Sequence, residues 1–119
     1  MHQLYNTWAM NESLDKAFAA LADPTRRAIL VRLRQGAASV GELAEPFAMS
    51  QPAISRHLKV LEGAGLIEAE RNGQARPRRL RPTGIAPVQS FVEDMAKYWP
   101  DRFDRLQQFL DDTAKDQRS

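Results

Sequence analysis

At 119 residues, with hydrophobic side chains making up 43%, the chain has the size of one domain and enough apolar content for its own core. It has no cysteine, which excludes a disulfide framework, a thiolate metal site and a cysteine nucleophile, and no apolar run approaches the roughly 20 residues of a membrane span. The net charge of +2 is unevenly placed: residues 1–49 are net 0, residues 50–82 net +4 and residues 83–119 net −2, so the positive charge gathers where either a solvated basic face or a nucleic-acid footprint would lie.

Residues 1–10, MHQLYNTWAM, have neither a basic leader nor an apolar stretch of signal-peptide type, and Met10 offers a second start. They are expected to form a flexible tail. Leu14, Ala17, Phe18 and Leu21 recur at helical spacing and predict a first helix over 12–22. Asp23-Pro24 restarts the chain, with aspartate as cap and proline at the first helical position. Ala28, Ile29 and Leu33 give this second helix its apolar face, and Gly36 ends it. Ser39-Val-Gly-Glu42 is a capping box opening a short third helix, which Pro46 is expected to stop. Ser50 caps a fourth helix, with Pro52 in its first turn, running to Gly63 or Gly65.

The period then changes. Leu66, Ile67 and Ala69 lead into Arg71-Asn72-Gly73-Gln74, a turn signal, and residues 78–81 read as a returning strand. Thr83 is expected to cap one last long helix whose stripe is Val88, Val92, Met95, Trp99, Phe103, Leu106 and Leu110. Pro100 should kink that helix. The sum is mainly α with a small β-hairpin: a winged helix-turn-helix with five helices plus the wing. One domain is expected over 11–114, with a C-terminal tail at 115–119.

On a helical projection of 50–63, Ser50, Ile54, His57, Leu58 and Leu61 fall around the inward face. Pro52, Ser55, Arg56 and Lys59 fall opposite, with Gln51 at the edge. Serine and glutamine can bond base edges or phosphates, arginine can meet guanine with two hydrogen bonds, and lysine suits a phosphate. The candidate DNA-binding residues are therefore Ser50, Gln51, Pro52, Ser55, Arg56 and Lys59, joined by Arg76 and Arg78 from the wing. The plainer readings are an ordinary surface helix and charge that protects a strand edge. His57 points toward the core edge and reads as a packed, hydrogen-bonded side chain. The stripe of the last helix is too long for one small body to cover, which leaves an apolar patch for a second copy. The candidate dimer residues are Leu14, Phe18, Val92, Met95, Trp99, Phe103, Leu106 and Leu110. The bland alternative is a monomer whose last helix folds back at Pro100.

Three stretches resemble the ArsR/SmtB family of bacterial regulators. They are Leu21-Ala-Asp-Pro-Thr-Arg-Arg-Ala-Ile-Leu30, Val40-Gly-Glu-Leu-Ala44 and Ser50-Gln-Pro-Ala-Ile-Ser-Arg-His-Leu-Lys-Val-Leu-Glu-Gly-Ala-Gly-Leu-Ile67. The resemblance covers residues 14–110 and implies a homodimeric winged-helix repressor of double-stranded operator DNA; a cytoplasmic address is expected, with which the absence of cysteine agrees. It also implies dimer contacts through the first and last helices, and DNA contacts by Ser55 and Arg56. The family's metal sites do not carry over. The third-helix region Glu42-Leu-Ala-Glu-Pro-Phe-Ala48 has no cysteine, the last helix has no histidine, and the only histidines are His2 and His57. No metal and no other cofactor is expected, and the residues name no small-molecule inducer. The competing function is a winged-helix module for protein–protein interaction. An enzyme is not expected, because the chain has no paired carboxylates, triad or phosphate-binding loop.

Overall fold

The computed structural model describes residues 11–71 and 76–118, apart from the side chains of 100–104 and 116–118. Among the described residues the order is α1 (Glu12–Leu21), α2 (Pro24–Leu33), α3 (Val40–Ala44), a 3-10 turn (Glu45–Phe47), α4 (Gln51–Gly63), β1 (Ile67–Ala69), β2 (Arg78–Leu80), α5 (Ala86–Ala96) and α6 (Pro100–Arg118). The chain divides into two compact units, one reaching to Val88 and one beginning at Gln89. The expected tail at 1–10 and the tip of the wing lie outside the described residues.

Local chemistry accounts for the helix starts. Asn11 caps α1, accepting a hydrogen bond from the Ser13 amide. Asp23 caps α2 through the Arg26 amide at 3.1 Å, with Pro24 in the first turn. The capping box closes in both directions: the Glu42 amide donates to Ser39 Oγ at 3.2 Å and the Ser39 amide to Glu42 Oε1 at 3.0 Å. Pro46 does not end the backbone's coiling. It is taken into the 3-10 turn, which closes on Ala48 in the left-handed region at φ 53°. The end of α4 is a Schellman motif: Gly65, at φ +75°, donates to Glu62 O and Leu66 donates to Leu61 O, both at 3.0 Å.

Two carboxyls are held low by these caps. The Arg26 amide, and then the Arg26 charge, keep Asp23 below its ordinary range, and the Ser39 amide followed by the Ser39 hydroxyl does the same for Glu42. A carboxyl depressed in the folded chain stabilises it above its unfolded pKa and loses that contribution as pH falls through the folded value. The double variant Asp23→Asn, Glu42→Gln keeps hydrogen-bonding side chains at both caps but cannot titrate. Acidification from neutrality to below about pH 4 should therefore lower the thermal midpoint of wild type more than that of the double variant. Identical acid sensitivity in both proteins would remove the caps as its cause.

Ile29 of α2, Leu43 of α3 and Ile54, Leu58 and Leu61 of α4 are fully buried and form the centre of the core, with Ala17, Ala20, Leu33, Ala38, Leu66 and Ile67 around them. The strands pair antiparallel as Ile67 with Leu80, Glu68 with Arg79 and Ala69 with Arg78. The α2–α3 connection adds to the sheet edge: the Ala38 amide donates to Arg78 O at 2.9 Å and the Arg78 amide to Ala38 O at 2.8 Å.

The C-terminal part departs from expectation. One kinked last helix is replaced by two, so among the described residues there are six α-helices rather than five. Three amides, those of Lys97, Tyr98 and Trp99, bond carbonyls three residues back and tighten α5 to a close. Pro100 then occupies the first position of α6, where its missing N–H costs nothing. Thr83 does not cap α5 directly, since the helix begins at Ala86. The intervening turn carries Gly84 against the α4–β1 corner, where an added Cβ would meet Gly65 O at 2.2 Å. The α6 helix runs on to Arg118, past residue 114, where a tail was expected.

Candidate nucleic-acid interface

The α4 helix presents two chemically distinct faces. Ile54, Leu58 and Leu61 are buried, while Gln51, Pro52, Ser55, Arg56 and Lys59 are exposed; Ser50, which the projection places on the inward side, is exposed too, because it is the cap that precedes the helix. Ser50 Oγ accepts the Ala53 amide at 3.2 Å, which leaves its own O–H free to donate outward. A Cβ added at Gly41 would lie 3.4 Å from the Gln51 side-chain nitrogen, so Gln51 rests over the first turn of α3.

Charge pairing sorts the arginines of the wing. Arg78 is turned toward α4: its Nε donates to Glu62 Oε1 at 2.8 Å and its Nη1 to Arg76 O at 2.8 Å, and its side chain is only 17% exposed. Arg79 pairs with Glu68 across the hairpin and approaches Glu70 at 4.0 Å. All three acidic residues of 50–82 are thereby engaged. Among the described residues, Arg56 and Lys59 on α4, Arg71 and Arg76 in the wing and Arg81 at its base are exposed and have no ion pair. The surplus positive charge is thus concentrated on the outer face of α4 and on the hairpin.

Sequence reasoning missed one constellation. Arg26 Nε donates to Ala20 O at 2.8 Å and its Nη2 to Ala19 O at 3.0 Å, and Arg27 Nη1 donates to Leu21 O at 2.7 Å. Two arginines of α2 thus satisfy the last carbonyls of α1, which have no partner within that helix. Arg26 Nη1 also stands 3.4 Å from His57 Nδ1, with Asp23 Oδ2 3.9 Å from the same nitrogen. His57 is indeed a partly buried, partnered side chain. The signal for this was present in the Asp-Pro-Thr-Arg-Arg segment, but spacing alone gave its arginines no job.

The residues marked for a second copy divide. Leu14 is buried within the chain and offers almost no surface to a partner, whereas Phe18 is 41% exposed. In the second unit Val92, Trp99, Leu106 and Leu110 are exposed and Met95 is half-buried, while the side chain of Phe103 lies outside the described residues. Phe109, not singled out from the sequence, is 66% exposed beside Leu106 and Leu110. Among the described residues no three His, Asp or Glu side chains gather as a metal-binding group, and no helix is long and apolar enough to cross a membrane.

Comparison with known proteins bears on this geometry. The family model described as bacterial regulatory protein, arsR family, matches residues 23–69. The HTH-type transcriptional regulator Rv2034 of Mycobacterium tuberculosis is 41% identical over 104 residues, covering 87% of this chain and 94% of that protein. The transcriptional repressor SdpR of Bacillus subtilis is 44% identical over 61 residues, covering 51% of this chain and 68% of that protein. Among solved structures, the homodimeric winged helix-turn-helix DNA-binding domain Mb0332 of Mycobacterium bovis matches with a TM-score of 0.62 at 28% identity, covering 77% of this chain and 85% of that one.

Proposed function

From the premise that this chain belongs to the arsR family of bacterial regulatory proteins, we propose that it is a sequence-specific, DNA-binding transcriptional repressor acting as a homodimer. The observation that carries this reading is the exposed face of α4, where Gln51, Ser55, Arg56 and Lys59 stand clear of the buried Ile54, Leu58 and Leu61. In this reading α4 lies in the major groove with its first turns deepest, and the wing lies along the flanking backbone. Arg56 reads a base, Lys59 and Arg76 neutralise phosphates, and Ser50, Gln51, Pro52 and Ser55 fit the groove wall. Bound dimers exclude polymerase from the same DNA. A relative that is itself a transcriptional repressor, and another that is a homodimeric DNA-binding domain, support the same choice.

The test is selection from a random-sequence duplex pool, followed by titration of the enriched duplex at several salt concentrations. A single enriched motif with two related half-sites, and affinity falling steeply with salt, is the expected result. Enrichment of no sequence would leave the protein-interaction reading in its place.

The two wing arginines should respond differently. Arg76→Gln removes an unpaired charge, so the slope of log affinity against log salt should become shallower by about one phosphate contact, with little change in thermal midpoint. Arg78→Gln breaks the pair with Glu62 and should lower the midpoint while leaving the salt slope unchanged. A reversed pattern would place Arg78, not Arg76, on the backbone.

A further inference from the structure

The core determines which face of α4 is inside, but not how far the helix is rolled. Contacts by Ile54, Leu58 and Leu61 are apolar and have no preferred direction. Hydrogen bonds do have one. Among the described residues, two such contacts reach α4 side chains from other elements: Arg78 holds Glu62 in the last turn, and Arg26 faces His57 at mid-helix. His57 follows directly on Ser55, placed at the groove wall, and Arg56, placed at a base.

We propose that Arg26 is a positioning residue for DNA reading: through His57 it sets the roll of α4, and so the aim of Ser55 and Arg56. This rests on the assignment of α4 as the DNA-reading helix. Arginine has no acceptor, so in the 3.4 Å contact Arg26 Nη1 donates and His57 Nδ1 accepts. The guanidinium cannot swing freely to follow the ring. Its Nε and Nη2 are fixed at 2.8 and 3.0 Å on the end of α1, and its backbone amide is held by Asp23. The same Asp23 carboxylate lies 3.9 Å from His57 Nδ1, beyond hydrogen-bond reach, and its role here is to hold the Arg26 amide. A planar fork anchored on one helix end therefore gives the imidazole a fixed reference. The demand is stringent, because a recognition group works within about 0.5 Å and 10–20° of its productive geometry. The Asp-Pro-Thr-Arg segment is thus a bracket between the α1 end and the reading helix.

The test uses the duplex enriched by the wild-type chain, an unrelated duplex of equal length, and three variants of the full chain. His57→Leu keeps bulk but removes the acceptor. His57→Asn places an oxygen acceptor near the position of Nδ1. Arg26→Gln removes the fork, and because it also uncaps α1, the two His57 variants keep the proposal falsifiable if it fails to fold. His57→Leu should lose about tenfold in affinity for the enriched duplex, toward the lower end of what one misplaced base contact costs. Its affinity for the unrelated duplex should stay within about twofold, because phosphate contacts carry non-specific binding. His57→Asn should recover most of the discrimination. A simple loss of folded protein would lower both affinities together. If the wild-type chain enriches a sequence, and His57→Leu discriminates as well as wild type or His57→Asn does no better than His57→Leu, the positioning role is wrong. If the wild-type chain enriches nothing, the DNA reading itself falls and takes this proposal with it.

Discussion

Replacing Arg56 by alanine should weaken binding to the enriched duplex by about 1–3 kcal/mol at fixed salt and relax specificity at one base pair. Arg56 sits in the second turn of α4, exposed and with no ion pair among the described residues. No desolvated partner is therefore left behind when it is removed, and the loss reports its contact with DNA. Arg56→Lys separates charge from geometry. A lysine keeps the charge but cannot form the planar two-bond fork, so it should leave base preference relaxed as in Arg56→Ala. Lys59→Ala should do the reverse, weakening all duplexes alike and reducing the slope by about one. These are titrations of the same two duplexes at matched salt. An Arg56→Ala protein that binds the enriched duplex as tightly as wild type would mean that α4 is oriented differently on DNA.

The reading helix was legible because each of its determinants is local. Ser50 and Pro52 mark its start, Gly65 its end, and Ile54, Leu58 and Leu61 its inward face; every one lies within the segment it explains. What escaped were interactions between segments. Arg78 and Glu62 are 16 residues apart, and Arg26 and His57 are 31 apart. Periodicity says which side of a strand or helix a charge occupies, but not which opposite charge meets it there. Arg78 was accordingly assigned to DNA on its face and its sign alone, while the fold gives it a carboxylate. The role of Pro100 is ambiguous in the sequence for a related reason. A proline inside a continuous apolar stripe reads equally as a kink or as a new start. The choice was made by Lys97, Tyr98 and Trp99, whose amides close α5 three residues before another helix can begin. Gly84 carried no signal at all, because only the fold brings the backbone of Gly65 against it.

The same division separates what the two units contribute. The unit ending at Val88 contains α4, the wing and a closed apolar core, and on the proposed reading those suffice to present one recognition surface. A single surface reads only a few base pairs, and an operator of two half-sites needs two of them, roughly 34–36 Å apart on one face of the duplex. In the proposed homodimer, a two-fold pair of chains supplies that spacing through a self-complementary interface. The interface then has to be built from apolar surface that the single chain leaves open.

Leu106→Glu should dissociate the homodimer and weaken operator binding together. Leu106 is 55% exposed, Leu110 52% and Phe109 66%, and the first two lie four residues apart on one face of α6. Gln107, Asp111, Asp112 and Lys115 make the remainder of the helix polar, with Gln107 Nε2 donating to Asp111 Oδ1 at 3.0 Å. In α5 and the turn after it, Val92 and Trp99 add further exposed apolar surface. Soluble monomers rarely keep contiguous apolar patches of more than a few hundred Å². If two copies cover this surface, a carboxylate at position 106 becomes an uncompensated buried charge, costing several kcal/mol once in each chain. Two such costs, about 3 kcal/mol or more each, are on the order of ten-thousandfold or more in the dimer constant. Sedimentation at micromolar concentration should then give a monomer, and affinity for a two-half-site duplex should fall toward that for a single half-site. Leu106→Ala, which removes contact without adding charge, should give an intermediate dimer constant. A Leu106→Glu protein that remains dimeric with full operator binding would exclude this face of α6 from the interface. A monomer that still binds the two-half-site duplex as tightly as wild type would break the link between assembly and recognition.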